Sequence, residues 1–397
     1  MSKVIVELSE LCDVITKGTT PSNIGAEFTE KGIKYIRSEM LTSAKYISDE
    51  GLLYISEETH KKLKRSQLKP GDILFSMAGV YLGKTAILRE CDTPANTNQA
   101  VALIRIIDEK CNREYVYYYL NLPEVVKSVN SITGQSAQPN INLKQIGNIQ
   151  IMLPERSVQD TVVTILSTYD SLIANNQKQI KLLEEAAQRL YKEWFVDLRF
   201  PGHETTPIVD GVPEGRKEQS LYQIADVVMG QSPKSEYYNQ VGEGLPFHQG
   251  VGSYGNRFVS DETYSTSFTR IAEAGSILFS VRAPVGRLNL TKNKVVIGRG
   301  LAAINHRRGA QSYLFYLLKE KFFRDDIIGN GSIFASISKE ELLNQKFLIP
   351  LDSLVGQFNG IAGGIDKKID ILSEQIRLLT EARNRLLPKL MSGELEV

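Results

Sequence analysis

A three-four alternation of apolar residues, sustained over nine positions and repeated 196 residues later, constrains this chain more than any other feature. Leu166, Tyr169, Ile173, Asn176, Ile180, Leu183, Ala187, Leu190 and Trp194 recur at the spacing of a coiled-coil seam. Displaced by 196, Ala362, Ile365, Ile369, Leu372, Ile376, Leu379, Arg383, Leu386 and Leu390 trace the same seam. Identities also fall in register outside it: Pro154 with Pro350, Asp170 with Asp366, Gln179 with Gln375, Leu182 with Leu378, Arg189 with Arg385. The chain is therefore two copies of one unit, a globular part followed by a helix. Asn176 is the polar member of the first seam, and a lone polar residue there fixes register; Leu372 stands at the corresponding place in the second.

The globular parts repeat as well. Residues 1–153 read as a mixed α/β domain, with β-type runs DILFSM from Asp72 and AVALIRII from Ala100 and a tyrosine-rich helix over Glu114–Leu120. Pro154 opens the long helix, which is expected to end at Phe200-Pro201-Gly202, and proline and glycine then mark a linker to about Ser220. Residues 220–349 follow the order of the first domain. Gly18-Thr-Thr-Pro21 is answered by Gly230-Gln-Ser-Pro233, Gly71–Ser76 by Gly275–Ser280, Gly83-Lys84 by Gly286-Arg287, and Tyr115–Leu120 by Tyr313–Leu318. Loop contents differ: Ile24–Thr59 has little in common with Glu236–Thr269. The expected divisions are 1–153, 154–199, 200–349 and 350–397.

Length turns this repeat into geometry. About 40 helical residues make a rod of roughly 60 Å, and the second seam pairs with the first only if the helices run antiparallel. The expected fold is mixed α/β (α+β): two globular domains separated by two long antiparallel coiled-coil helices, related by an internal pseudo-twofold. Proteins of that symmetry read duplex DNA at half-sites roughly 34 Å apart, and a pseudo-dimer can read two different half-sites.

Composition restricts the class. With 42% hydrophobic and 23% charged residues the chain is that of a soluble globular protein. No apolar run is long enough to span a bilayer, and Glu7, Glu10 and Asp13 stand where a signal peptide would be apolar, so a cytoplasmic protein is expected. Three scattered cysteines and four scattered histidines give no disulfide or zinc spacing. Net charge is +1, but its distribution is uneven. Lys61, Lys62, Lys64, Arg65 and Lys69 lie within one short run, and no Asp or Glu occurs from Ala274 to Lys319, a stretch holding Arg282, Arg287, Lys292, Lys294, Arg299, Arg307 and Arg308. One basic cluster per repeat suits phosphate contact better than a solvated face.

Catalytic readings fail one by one. Ala78–Thr85 fits a loose phosphate-loop pattern, yet the chain turns at Cys91-Asp-Thr-Pro94 before a helix could follow. No Glu-x-Lys occurs for a metal nuclease, no Pro-Pro-Tyr for a flipped adenine, and Ser, Thr and His supply no triad with positional support. A non-catalytic binding protein remains.

Over essentially its whole length the chain resembles the specificity subunit of type I restriction-modification systems. GTTPS at Gly18, GDILFSMAG at Gly71, GKTAI at Gly83, GQSAQPNINL at Gly134, IMLP before Gln159, LYKEWF from Leu190 and RLLPKLMSGEL from Arg385 carry the resemblance. The second domain departs from it, with GNGSIFASIS and GQSPKS in place of GQSAQPNINL and GTTPS. The resemblance implies two target-recognition domains (1–153 and 200–349) reading a bipartite, asymmetric double-stranded DNA target. It implies spacer helices at 154–199 and 350–397 on which two methyltransferase subunits dock, and it allows ATP-driven restriction (translocase and endonuclease) subunits to join. S-adenosylmethionine, ATP and magnesium would enter only through those partners, with no cofactor or metal on this chain. Candidate DNA contacts are Lys17, Thr19, Thr20, Ser22, Arg37, Ser38, Lys84, Gln135 and Gln138 in the first domain, and Gln231, Ser232, Lys234, Gln249, Arg282, Arg287 and Arg299 in the second. Arg pairs with guanine, Gln with adenine, Ser and Thr with either or with phosphate. The competing reading is a coiled-coil scaffold with two protein-binding domains and no nucleic acid.

Overall fold

The computed structural model describes residues 3–42, 44–49, 51–132, 139–209, 211–322 and 336–397. Two compact units divide the chain: Met1–Asn176 with Glu374–Val397, and Gln177–Ser373. The division falls inside both long helices, so each unit includes a stretch of each.

In the first unit, the run from Asp72 yields strand Ile73–Ser76 and the run from Ala100 yields Val101–Ile106. Alternate side chains leave a strand on opposite faces, and here each face has its own core. Ile73, Phe75, Ala102 and Ile104 pack with Tyr115 and Val162, whereas Leu74, Val101 and Leu103 pack with Ile36 and Leu41. The antiparallel sheet runs in the order Cys12–Lys17, Val101–Ile106, Ile73–Ser76, Thr85–Ile87. A second sheet, Leu53–Ile55, Ile33–Ile36, Ala95–Thr97, Gln67–Leu68, has one parallel pair in its middle. Thr85–Ile87 is strand, so no helix faces a nucleotide there and the phosphate-loop pattern is coincidental.

The second unit keeps the plan. Its first sheet runs Ala225–Met229, Leu301–His306, Ile277–Ser280, Leu288–Leu290, with Ile277 and Phe279 on one core and Leu278 on another. Its second sheet again contains one parallel pair, Leu245–His248 with Val295–Ile297. The dissimilar stretches of the two repeats lie on and beside these second sheets. Two pairings carry no signal in the sequence: Val4–Glu7 zips against Gln150–Leu153, and Lys217–Ser220 against Lys346–Ile349. The segment expected to be a linker holds a tight turn at His203–Thr205 and a small hairpin, Ile208–Val209 with Val212–Pro213.

The central helix spans Arg156–Tyr191 and continues as a π-type turn over Lys192–Val196. It stops short of Phe200 because Leu198 takes a left-handed conformation with φ of 63°. The Asp197 and Arg199 amides close onto the Lys192 and Glu193 carbonyls, each at 2.8 Å. The C-terminal helix spans Asp352–Ser392. Leu166, Tyr169, Ile173, Asn176, Ile180, Leu183 and Leu190 on the first, and Ile365, Ile369, Leu372, Ile376, Leu379 and Leu386 on the second, are all buried or half-buried.

Within the first unit the pairing is antiparallel. Val162 and Leu166 share a core with Leu387, Leu390 and Met391, Asp170 meets Arg383, and Asn176 Nδ2 donates to Gln375 Oε1 at 3.2 Å. Asn176 therefore faces the partner helix and not water. Within the second unit Tyr191 and Trp194 both lie edge-on to Phe358, at 5.7 and 6.0 Å between ring centres.

A polar network crosses each interface between helix and domain. In the first unit Tyr118 and Arg383 donate to the two oxygens of Asp170, each at 2.5 Å, and Lys45 donates to Tyr118 Oη and to Glu114 at 3.0 and 2.7 Å. Burial and the adjacent carboxylate push the Tyr118 phenol well up, which keeps it a donor. In the second unit Tyr316 and Arg257 donate to Asp366, and the Arg257 guanidinium lies 3.9 Å from the centre of the Phe315 ring. Lys45 and Arg257 come from the dissimilar loops of the two repeats, yet both are buried and both serve the register-matched pairs Tyr118–Asp170 and Tyr316–Asp366.

Candidate nucleic-acid interface

The turn after the first strand of each repeat is held by backbone contact that only glycine permits. The Gly18 and Thr19 amides donate to the Val101 and Thr97 carbonyls, and a Cβ on Gly18 would stand 1.9 Å from the Thr97 oxygen. Gly230 and Gln231 donate likewise to Leu301 and Ile297, and a Cβ on Gly230 would stand 2.1 Å from the Gly298 oxygen. The residues that follow are thereby aimed outward from a rigid seat.

In the first unit that seat gathers Thr19, Thr20 and Ser22. Arg65 reaches Thr19 Oγ1 at 3.3 Å, and Tyr35 Oη donates to the Thr19 carbonyl at 3.1 Å. Burial pushes the Tyr35 phenol up to about 12, so the donor persists at any working pH. Lys17 lines a cavity of about 710 Å³ beside the turn, together with Gln99, Asn140, Asn142 and Lys144. Arg65 joins the turn to the basic run Lys61–Lys69, all five of whose cations are exposed; Lys62 pairs with Glu58 at 2.7 Å. The sequence singles out Arg65 only as one charge in a run.

In the second unit four candidates converge. Ser232 Oγ donates to Gln249 Oε1 at 2.8 Å and accepts from the Arg299 amide at 3.2 Å, and Gln231 precedes them on the turn. Lys234 stands exposed, 3.9 Å from Glu236. Gln249 is carried by a strand braced from below: His248 lies between Ser253 Oγ at 2.9 Å and Asp261 Oδ1 at 3.1 Å. That trio has the partners of a hydrolytic triad, which the sequence does not signal. His248 is 1% exposed, which closes it to a substrate, and the trio fixes the loop over residues 249–261.

Other candidates lie off the turns themselves, although Arg37 follows Ile36, which pairs with Thr97 behind the first turn, and Arg282 follows Val281, which donates to Gly300 behind the second. Arg37 pairs with Glu39 at 3.2 Å and Ser38 Oγ bonds the same carboxylate. Lys84 sits over the Tyr81 ring at the far edge of the first sheet. Arg287 holds the equivalent place, on the rim of a cavity of about 460 Å³ with Glu184, Arg257, Asn289 and Lys319. Arg282 is exposed where the backbone bridges to Ser336. Gln135 and Gln138 lie outside the described residues. The carboxylate-free stretch is less basic in space than in sequence: Lys292, Lys294, Arg307 and Arg308 pair with Asp370, Glu273, Asp226 and Asp352. Among the described residues no cluster of His, Cys, Asp and Glu could hold a metal ion, and no helix is long and apolar enough to cross a membrane.

A family model described as the type I restriction modification DNA specificity domain matches residues 2–185 and again 213–383. The MjaX specificity subunit of Methanocaldococcus jannaschii is 30% identical over 98% of this chain and 93% of its own length. The type I restriction enzyme MjaIX specificity subunit of the same organism is 26% identical over 96% and 91%. A crystal structure of a type I restriction-modification system S subunit from M. genitalium shares the fold, with a TM-score of 0.59 and 15% identity over 98% of this chain and 96% of that one.

Proposed function

The chain belongs to the type I restriction-modification DNA specificity family, and from that premise we propose that each unit reads one half of a bipartite DNA target through the turn at Gly18 or Gly230. The chain is the non-catalytic, DNA-recognising subunit of its complex; the scaffold reading without nucleic acid is not favoured. The observation that carries the proposal is the shared frame with unshared side chains. Both turns are seated by the same backbone bonds, while Thr19, Thr20 and Ser22 stand in one where Gln231, Ser232 and Lys234 stand in the other. Two readers of one construction with different tips suit an asymmetric target.

Methyltransferase subunits, two per chain, dock on the long helices in this reading. Leu182 and Leu378, identical and in register, are 54% and 50% exposed, which leaves apolar helix surface for them. S-adenosylmethionine, ATP and magnesium belong to those partners and to any restriction subunits, and the complex works in the cytoplasm.

The test is a map of methylated adenines in DNA exposed to this chain with its methyltransferase. A split motif with two specified parts is the expected result. Methylation without a split motif removes the two-reader proposal, and no methylation by an assembled complex that binds S-adenosylmethionine returns the scaffold reading. Arg282→Ala is expected to relax one half-site by about 1–3 kcal/mol if its guanidinium touches a base, or to lower the salt slope of binding uniformly if it touches phosphate. Titrations at several salt concentrations separate the two, and unchanged affinity, specificity and slope would remove Arg282 from the interface.

A further inference from the structure

The strand that seats each turn ends in a short loop of its own, and the two loops share a set of corresponding backbone bonds. Thr97 and Ile297 accept from the turn amides of Thr19 and Gln231. The Val101 amide returns to the Asn98 carbonyl at 3.3 Å and the Leu301 amide to the Gly298 carbonyl at 3.0 Å. Ala100 and Gly300 accept from Met77 and Val281 at 2.8 and 2.9 Å. Four corresponding bonds, counting Gly18 to Val101 and Gly230 to Leu301, fix an offset of 200 residues. At that offset Gln99 and Arg299 occupy one position, and both are exposed.

Each is anchored beside the turn. Asn23 Nδ2 donates to Gln99 Oε1 at 3.3 Å, which orients the amide and leaves Oε1 a second lone pair and Nε2 its donors. The Arg299 amide is held by Ser232, with its guanidinium on an exposed side chain. A glutamine so placed offers the donor-acceptor pair that matches adenine N7 and N6, and an arginine offers the fork that matches guanine O6 and N7.

We infer that Gln99 and Arg299 are equivalent specificity determinants, Gln99 reading an adenine in one half-site and Arg299 a guanine at the corresponding place in the other. The inference rests on the two-reader function proposed above and adds a residue, Gln99, and a rule of correspondence to it. The turn supplies the seat, and the loop behind it supplies the reader.

The test uses the full chain assembled with its methyltransferase and maps methylated adenines for the wild type, Gln99→Arg, Gln99→Ala, Arg299→Gln and Arg299→Ala. Gln99→Arg is expected to convert one adenine of one half-site to guanine, and Arg299→Gln to make the reverse change in the other. Each switches preference about tenfold to a hundredfold, with the remaining bases unchanged. Each alanine variant is expected to tolerate any base at that single place, and this result decides the matter where an exchanged side chain silences the complex. A split motif for the wild type with unaltered motifs in the Gln99 variants overturns this inference while leaving the two-reader function intact. Complete loss of methylation with Gln99→Ala, or changes by both residues in the same half-site, overturns it too. A wild-type complex without sequence preference removes the two-reader function itself.

Discussion

Asp170→Ala is expected to destabilise the first unit by about 3–5 kcal/mol, the cost of removing one partner from a buried ion pair. The Asp170 side chain is 4% exposed and that of Arg383 14%, so the guanidinium left behind has little water to replace its counter-ion. Tyr118, which accepts from the buried Lys45, loses its own acceptor in the same step. Asp170→Asn keeps an acceptor for Tyr118 and loses the charge, so its effect should be intermediate. Hydrogen exchange reads the result by unit: amides of Arg113–Leu120 should lose protection while those of Gln311–Phe322 keep theirs. Equal protection of Arg113–Leu120 in wild type and Asp170→Ala would show that the network contributes nothing net.

Phe358→Ala should cost the second unit a similar amount, about 3–5 kcal/mol, for a different reason. Phe358 is fully buried, and its ring stands edge-on to Tyr191, Trp194, Phe195, Tyr313 and Tyr316, with centres 5.2 to 6.2 Å away. Alanine empties the middle of that cluster, and five rings fixed on three helical segments cannot all move in to fill it. Trp194 is the single tryptophan of the chain and reports the change directly. Its emission should shift to the red as water enters, and the urea midpoint followed by that emission should fall. An unchanged midpoint would mean that the cluster closes over the gap.

Trp194 also illustrates what the sequence makes legible. Its seam position already says that it packs, because a period sustained over two helices admits one buried face. The strands from Asp72 and Ala100 are legible on similar grounds, being dense in apolar residues and bounded by turns. Val4–Glu7 and Lys217–Ser220 are not, since four residues carry little pattern and their partners lie over a hundred residues away. The end of the central helix depends on a leucine in a left-handed conformation, which no propensity favours. In the interface, the glycine turns stand out because their spacing repeats, but the company they keep does not. Arg65 comes to Thr19 from a helical turn 46 residues on, Gln249 comes to Ser232 from the end of a strand whose sequence differs from that of its counterpart Ile33–Ile36, and Gln99 is found only once hydrogen bonds have set the offset. The charge of the Ala274–Lys319 stretch misleads for the converse reason: a sequence window cannot see carboxylates that arrive from Asp226, Asp352 and Asp370.

Lys45 and Arg257 have a consequence for how such a chain can change. Each is the buried tip of a loop otherwise unlike its counterpart, and each ends on a tyrosine-aspartate pair that both repeats keep. The helix side of that contact is a socket, and the loop side is a plug defined by charge rather than by sequence. Loops of different sequence meet the socket in the same way, each by delivering one cation to it. The two loops can therefore differ in sequence while keeping one manner of attachment to the tyrosine-aspartate pair behind them.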